Sequence, residues 1–146
     1  VTRLGLTDRI RFLGYVPREE IARHYAAAHV FVLPSYNEGM SVALLEAMAS
    51  GLAVLVTPTG GTPELVQPEV NGLIFNWADV AELTAHLRRL AQDRALVRRM
   101  GEASRRRAAE FSWAMAAQRY TEIFTQLVDA SSPSESHFTM EAKHKI

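Results

Sequence analysis

Residues 34–51 read PSYNEGMSVALLEAMASG, and this stretch decides the fold of the chain. The apolar run Val30–Leu33 comes directly before it and predicts a strand that is buried on both faces and ends at Pro34. Residues 41–50 are rich in good helix formers, and Gly51 occupies the position at which a left-handed C-terminal cap is expected. The stretch therefore predicts a strand, a tight loop and a helix.

The start of the predicted helix is a candidate anion-binding site. The first backbone N–H groups of a helix have no intrahelical partner and carry the positive end of the helix dipole. Residues 39–43 would present these donors at the carboxyl end of a parallel strand, where open α/β sheets bind their ligands. The sequence thus favours a ligand that carries phosphate.

Two carboxylates, Glu38 and Glu46, flank this site and are separated by seven residues. Glu38 lies at its mouth, whereas Glu46 is about 7 to 8 Å further along the helix axis than Ser41. Glu46 is the only charged residue between Gly39 and Val56, and a buried carboxylate needs a hydrogen-bonding partner, for which a hydroxyl-rich ligand is a candidate. From spacing alone, a plainer interpretation has equal weight: Glu38 interacts with the helix dipole and Glu46 faces solvent.

The composition limits the function classes. The chain has 146 residues, 48% of them hydrophobic, which suits one globular domain, and it contains neither a membrane-spanning run nor a signal-peptide pattern. Its 16 basic and 16 acidic residues balance, so no net field favours nucleic acid as a partner. The absence of cysteine excludes thiolate catalysis and suits a cytoplasmic protein. Because the chain starts at Val1 with what reads as the end of an element, we expect a fragment of a longer protein.

Strands and helices alternate through the first half of the chain, which predicts a parallel α/β sheet with Rossmann-like βα units and right-handed crossovers. The four predicted strands are Ile10–Leu13, Val30–Leu33, Ala53–Val56 and Leu73–Phe75. Helices are predicted at residues 18–28, after Pro17, and at residues 64–66, after the Gly60-Gly61 pair. That pair permits either close approach of a ligand or an ordinary turn.

From Asp79 onward the sequence predicts only helices, at residues 79–91 and 94–110 and from Ser112. The first has a stripe of Val80, Leu83, Leu87 and Leu90, and the last has a stripe of Trp113, Ala117, Tyr120, Phe124 and Leu127. Such stripes usually form core, although in a fragment the second one can have lost its partner. Arg105–Arg107 predicts a solvated last turn rather than a contact with an acidic surface or lipid headgroups. Residues 1–130 are assigned to one domain and residues 131–146 to a disordered tail.

No metal or cofactor is expected. His24, His29 and His86 lack the spacing of a helical metal-binding pair, so no metal bound by side chains is predicted. Phosphate-loop, dinucleotide-binding and nucleophile-elbow motifs are also missing from the sequence.

Taken together, these motifs resemble the C-terminal, nucleotide-sugar-binding part of a retaining glycosyltransferase of the GT-B type, family four (group 1). The resemblance covers about residues 1–128. It rests on the Glu-x7-Glu block of Glu38 to Glu46 and is supported by RFLG at residues 11–14, GGTPE at 60–64, NGL at 71–73 and FSW at 111–113.

The resemblance implies a role for each residue of the candidate site. Glu38 is expected beside the donor sugar near the reaction centre, as the catalytic residue. Backbone amides of Gly39, Met40, Ser41 and Val42 are expected to meet the sugar and the diphosphate. Glu46 would hold the ribose hydroxyls, and the backbone near Val16 would flank the base. Family members often have Phe-Gly where this chain has Met40-Ser41, which can alter how closely the backbone meets the sugar.

For the whole protein, the resemblance implies hexosyl transfer from a nucleoside diphosphate sugar with retention at the anomeric carbon, in cytoplasmic carbohydrate biosynthesis. It gives no cofactor. The family's Arg and Lys phosphate clamp and its N-terminal acceptor domain are missing from this sequence, so we expect the chain alone to be inactive and to self-associate through bare faces. The longer protein is expected in the cytoplasm, at the periphery of the membrane.

Two other classes stay open. One is a non-catalytic nucleotide-sugar-binding or interaction module. The other is a different GT-B enzyme, such as a sugar-nucleotide epimerase or a phosphorylase. The Glu-x7-Glu context argues against that second class, and a phosphorylase would need a pyridoxal-phosphate lysine, whereas the only lysines are Lys143 and Lys145.

Overall fold

The computed structural model describes residues 1–131. The chain divides into two compact units, one comprising Val1–Phe111 and the other beginning at Ser112. The first unit contains a three-stranded parallel sheet and five α-helices, and the described part of the second unit contains one long helix. The predicted α/β class with a parallel sheet followed by helices is therefore confirmed.

The three strands lie in the order β1-β2-β3 and all run parallel. Val30 is level with Ala53 across the first pair, and Val54 is level with Gly72 across the second. The strands are β1 Val30–Leu33, β2 Ala53–Val56 and β3 Gly72–Ile74. The helices are α1 Arg18–Ala26, α2 Val42–Ala49, α3 Thr62–Leu65, α4 Val80–Gln92, α5 Arg94–Ala109 and α6 Trp113–Ser131, with a 3-10 turn at Thr2–Leu4.

The central strand β2 is buried along its whole length because helices cover both of its faces. Alternate residues point to opposite sides of the sheet. Ala53 and Leu55 join an apolar cluster with Leu73, Phe75, Leu90, Leu96, Val97 and Met100. Val54 and Val56 join a second cluster with Leu44, Met48, Leu65, Val66 and Ala108. The continuous apolar sequence of β2 thus has the buried environment that it predicts.

Helix ends lie where the capping residues predict them. Ser41, Asp79 and Ser112 each accept a hydrogen bond from the backbone N–H three residues later, at 3.3, 2.9 and 3.3 Å. Gly51, which follows the C-cap of α2, has φ of 81° and so adopts the predicted left-handed conformation. Local sequence therefore determines where α2, α4 and α6 begin and where α2 ends.

The predicted strand Ile10–Leu13 does not form, so the sheet has three strands rather than four. A strand needs a hydrogen-bonding neighbour, and none of the described strands pairs with this segment. Phe12 is 81% exposed as a result. The prediction for β1 was also wrong in part: as an edge strand it is half-buried instead of buried on both faces.

Two helical stripes are more exposed than predicted. On α4, only Leu90 is buried and Leu83 is half-buried, while Val80 and Leu87 face solvent. On α6, Trp113, Tyr120, Phe124 and Leu127 are all exposed, so the interpretation of this stripe as core is wrong for the described residues. The alternative, a face that packs on another part of a longer protein, stays a prediction. Among the described residues, no helix combines the length and the apolar character needed to cross a bilayer.

The arginine run at the end of α5 is exposed at Arg105 and Arg106, as predicted, and half-buried at Arg107. Two of its side chains also bind carbonyl groups near the ends of other helices. Arg105 Nη2 donates to the Ser50 carbonyl at 3.2 Å, and Arg107 Nη2 donates to the Glu64 carbonyl at 2.7 Å. Helix α1 ends two residues earlier than predicted, at Ala26. The predicted disordered tail, residues 131–146, lies outside the described residues except for Ser131, which is the last residue of α6.

Candidate functional site

Two loops meet at the carboxyl edge of the sheet. Residues 34–41 follow β1, and residues 57–61 follow β2. Thr57 Oγ1 donates a hydrogen bond to the Ser35 carbonyl at 2.5 Å, and the Gly61 N–H donates to the Gly39 carbonyl at 2.7 Å. The loop that carries Glu38 is therefore held in place by the loop after the neighbouring strand.

Gly60 makes this close approach of the two loops possible. Its φ of +51° is left-handed, and a Cβ atom added to it would overlap the carbonyl oxygens of Glu38 and Gly39. A Cβ atom on Gly61 would come within 2.8 Å of Met40 Cε. Of the two uses predicted for the Gly60-Gly61 pair, the structure shows the turn, which the hydrogen bond from the Thr62 N–H to the Thr59 carbonyl closes at 3.0 Å. The close contact of this turn is with the protein's own backbone.

Glu38 is half-buried, and its side chain has a defined orientation. Its Oε1 atom accepts a hydrogen bond from Ser35 Oγ at 2.8 Å. Because an ionised carboxylate offers about four acceptor positions, this single bond leaves most of them available. The geometry fixes the carboxylate while preserving its capacity to interact with a ligand.

The start of α2 presents the donors that the sequence predicts. Ser41 is buried, and its Oγ atom accepts from the Leu44 N–H, which satisfies one of the first-turn amides. The amides of Val42 and Ala43 come before Leu45, whose N–H makes the first intrahelical bond, to the Ser41 carbonyl at 3.2 Å, so they have no acceptor within the helix. Met40 and Val42 are exposed, so this end of the helix is accessible.

Glu46 is half-buried on α2, and its negative charge acts on the hydroxyl of Tyr25 in α1. Burial raises the pKa of Tyr25, and the negative charge of Glu46 together with hydrogen bonding to it raises the pKa further. The Tyr25 ring also packs edge to face on Phe31 of β1, with 6.0 Å between centroids. The sequence identified Tyr25 only as a member of an apolar face, because nothing local in sequence links it to Glu46.

Val16 is half-buried and lies just before α1. In the part of the chain that the structure describes, no hydrogen bond joins it to residues 38–46. Glu38, Gly39, Met40, Ser41 and Val42 form one continuous segment at the sheet edge, and Glu46 follows on α2. The structure thus groups the predicted residues of the β1–α2 segment and leaves Val16 on a separate segment.

An aromatic pair lies at the same edge of the sheet and was missed by the sequence analysis. Tyr36, in the loop after β1, meets Trp77, which follows β3, with ring centroids 4.8 Å apart at an interplanar angle of 63°. The two residues are 41 positions apart. No local pattern could have indicated their contact, although each follows a strand of a parallel sheet whose carboxyl ends share one edge.

Metal-ligating side chains are dispersed in the described residues, where no three His, Asp or Glu residues group closely enough to hold an ion. His86 Nε2 instead lies 3.9 Å from Oε1 of Glu82, which is one turn earlier on α4. The site therefore consists of carboxylates, hydroxyls, backbone amides and aromatic rings.

Comparison with known proteins gives a consistent result. The family model described as glycosyl transferases group 1 matches residues 1–107. A D-inositol 3-phosphate glycosyltransferase from Streptomyces avermitilis is 38% identical over 128 residues, covering 88% of this chain and 28% of the relative. The protein of the same name from Corynebacterium jeikeium is 36% identical, covering 90% of this chain and 32% of its own length. This chain thus spans less than a third of these relatives.

Solved structures share the fold. Sucrose-phosphate synthase from Thermosynechococcus elongatus has a TM-score of 0.79 at 35% identity, with 89% of this chain and 33% of that one covered. HepE from Anabaena, solved in complex with UDP, has a TM-score of 0.79 at 28% identity, with 86% and 34% covered. Given the extent of the family match together with these relatives, the chain belongs to the glycosyl transferases group 1 family, whose glycosyltransferases have the GT-B fold.

Proposed function

We propose that this chain is the donor-binding part of a retaining hexosyltransferase, and that it binds a nucleoside diphosphate sugar along residues 38–46. The observation that carries the proposal is the β1–α2 loop, which is fixed by the loop after β2 and presents Glu38 and accessible helix amides at the carboxyl edge. HepE, which shares this fold, has been solved with UDP and with UDP-glucose, and these are the ligands expected here.

Different residues of the site are proposed to bind different parts of the donor. Amides of Gly39 to Val42 suit a diphosphate, because helix-terminal N–H groups attract negative charge. Glu46 suits the ribose hydroxyls, and Tyr25 would hold its carboxylate in position. The backbone near Val16 is proposed to flank the base.

Glu38 is proposed as the catalytic residue. In glycosyl transfer, the bond between the anomeric carbon and the diphosphate oxygen breaks while a bond to the acceptor oxygen forms, and positive charge develops at the anomeric carbon. The acceptor hydroxyl gives up its proton to the departing diphosphate. A fixed carboxylate beside that carbon stabilises this charge, and the amides of α2 stabilise the negative charge on the leaving diphosphate. Both groups are oriented before the reaction starts.

Transfer is expected to need more than this chain. Because the chain spans less than a third of its relatives, we propose that an acceptor domain and a cationic phosphate clamp belong to other parts of a longer protein. The purified chain should then bind donor without transferring sugar, which an assay with radiolabelled donor and a panel of acceptors would test. A cytoplasmic location, peripheral to the membrane, is part of this proposal.

The direct test is a titration of the chain with UDP, GDP and ADP, followed by amide NMR shifts. We expect shifts at residues 38–46 and near Val16, with one nucleotide preferred. Glu46→Ala should abolish them, whereas the matched control Glu102→Ala, at an exposed position of α5, should not. Shifts that are absent at millimolar nucleotide, or that survive in Glu46→Ala, would contradict the proposed donor site.

A further inference from the structure

The pair formed by Tyr36 and Trp77 is unusually exposed for two large rings in contact. Tyr36 is 74% exposed and Trp77 is 55% exposed, although an edge-to-face contact joins them. Aromatic rings gain most of their stabilisation from burial, so a pair left in water at the edge of a ligand site indicates a binding surface more than a packing role.

The loop that carries Trp77 is built to hold this position. Asn76 donates to Glu82 Oε2 twice, from its backbone N–H at 2.7 Å and from Nδ2 at 3.1 Å. Ala78, the next residue after Trp77, has φ of 64°, a left-handed conformation that costs a non-glycine residue about 1–2 kcal/mol. The hydrogen bonds of Asn76 therefore hold the backbone on one side of Trp77, and the ring itself contacts Tyr36.

The partner ring, Tyr36, lies next to the proposed reaction centre. Its Cα atom is two residues from that of Glu38, which limits their separation to about 7 Å. Ser35, the residue before it, bonds both to Glu38 and to Thr57. The loop that orients Glu38 thus also orients Tyr36.

We infer that Tyr36 and Trp77 form a stacking surface for a pyranose ring of the substrate. The C–H groups on one face of a pyranose carry partial positive charge, which the negative face of an aromatic ring attracts, while the hydroxyl groups at the sugar's edge stay in water. The choice of a sugar as the ligand rests on the proposed function. The sugar is either the transferred hexose of the donor or a ring of the acceptor.

Trp77 allows a direct test, because the chain has only two tryptophans, Trp77 and Trp113. The variant Trp113→Phe leaves Trp77 as the only indole, and its emission can be followed while methyl glucoside, UDP or UDP-glucose is added. A change with methyl glucoside identifies an acceptor-like sugar. A change with UDP-glucose that UDP does not produce identifies the donor sugar.

Variants of Tyr36 test whether a sugar-induced change in Trp77 emission arises from stacking of the sugar on the two rings. In the Trp113→Phe background, Tyr36→Ala should reduce the sugar affinity by about three- to tenfold, and Tyr36→Leu should behave likewise because it keeps an apolar side chain without an aromatic face. Tyr120→Ala is the matched control, since Tyr120 is an exposed tyrosine that stacks on Phe124 of α6. It should leave the affinity unchanged.

The outcomes distinguish this inference from the donor site. If UDP shifts the amides of residues 38–46 but no sugar changes Trp77 emission, the stacking surface is overturned and the donor site stands. If methyl glucoside changes the emission while UDP shifts no amide, the stacking surface stands and the donor site fails. A sugar-induced change of Trp77 emission that is as large in Tyr36→Ala as in the Trp113→Phe parent would also overturn the inference.

Discussion

Gly60 is the residue on which the geometry of the candidate site depends most directly. Gly60→Ala adds a Cβ atom that overlaps the carbonyl oxygens of Glu38 and Gly39 and also imposes a left-handed φ on alanine. We expect the two loops to separate, with a loss of about 2–4 kcal/mol in the free energy of unfolding and a loss of UDP binding. Denaturant unfolding and NMR titration measure the two effects.

The control for this substitution is Gly5→Ala. Gly5 also has a left-handed φ, of 62°, but a Cβ atom there has no neighbour within 4 Å. Gly5→Ala therefore retains the backbone strain and omits the overlap, so it should cost only about 1–2 kcal/mol and leave UDP binding intact. Equal losses in both variants would show that strain, not contact between the loops, is what Gly60 relieves.

Tyr25 predicts how stability depends on pH. Burial and the carboxylate of Glu46 raise its pKa above the ordinary value of 10.0, so the folded chain holds this proton more tightly than the unfolded chain. The resulting stabilisation is fully present below pH 10 and is lost as the pH rises through the raised pKa. Tyr25→Phe should therefore flatten the decline of unfolding free energy above pH 10, measured by urea unfolding at several alkaline pH values.

Glu46→Gln tests the cause of that shift. It removes the negative charge but leaves the Tyr25 ring buried, and burial is the larger cause. The decline above pH 10 should then become shallower without disappearing. A Glu46→Gln variant with the wild-type slope would show that the carboxylate does not interact with Tyr25.

Helix α5 and the end of α2 are in direct backbone contact, and Gly101 makes that contact possible. A Cβ atom on Gly101 would overlap the carbonyl oxygen of Gly51. Gly101→Ala gains about 1 kcal/mol of helix propensity, but overlap with a rigid backbone costs more, so we expect a net loss of about 1–3 kcal/mol. Chemical unfolding gives the value.

Glu102→Ala is the neighbouring control on α5. Glu102 is exposed, and alanine has the higher helix propensity, so this substitution should change stability by no more than about 0.5 kcal/mol. If Gly101→Ala were as stable as the parent chain, α5 would have room to move away from α2, and the close contact would not contribute to the fold.

Elements whose signals are local were predictable from the sequence. Strand β2 has a continuous apolar run, and α2 has a capping serine at one end and a left-handed glycine after the other. The segment Ile10–Leu13 also has a sequence that favours a strand, yet it remains irregular, because strand formation depends on a neighbour that local sequence does not specify. Its apolar pattern indicates a preference for extended structure but does not indicate whether a neighbouring strand is present to pair with it.

The candidate site was predictable to the same extent. Glu38 to Glu46 is one continuous segment, so its residues were found together from the sequence. Contacts between segments were not, as Tyr25 with Glu46 and Tyr36 with Trp77 demonstrate. Both contacts join residues on different elements, and only the topology of the sheet brings them together.

For the molecule as a whole, exposed apolar residues predict self-association. Between residues 10 and 15, Phe12 is 81% exposed and Tyr15 is 91% exposed, and Ile10 and Leu13 also face solvent. Strand β1 has an unpaired edge in the described sheet, and both features favour contact with a second copy. We expect the elution volume in size-exclusion chromatography to fall as the protein concentration rises.

Phe12→Ser should shift this equilibrium towards the monomer, because it removes a wholly apolar ring that is 81% exposed. Val80→Ser is the matched control: Val80 is 71% exposed on α4, away from residues 10–15 in the sequence, and its substitution should leave the concentration dependence unchanged. An elution volume that stays at the monomer position at every concentration would contradict the prediction. An equal effect of both substitutions would indicate general loss of surface hydrophobicity, because a specific contact through residues 10–15 depends on Phe12 and not on Val80.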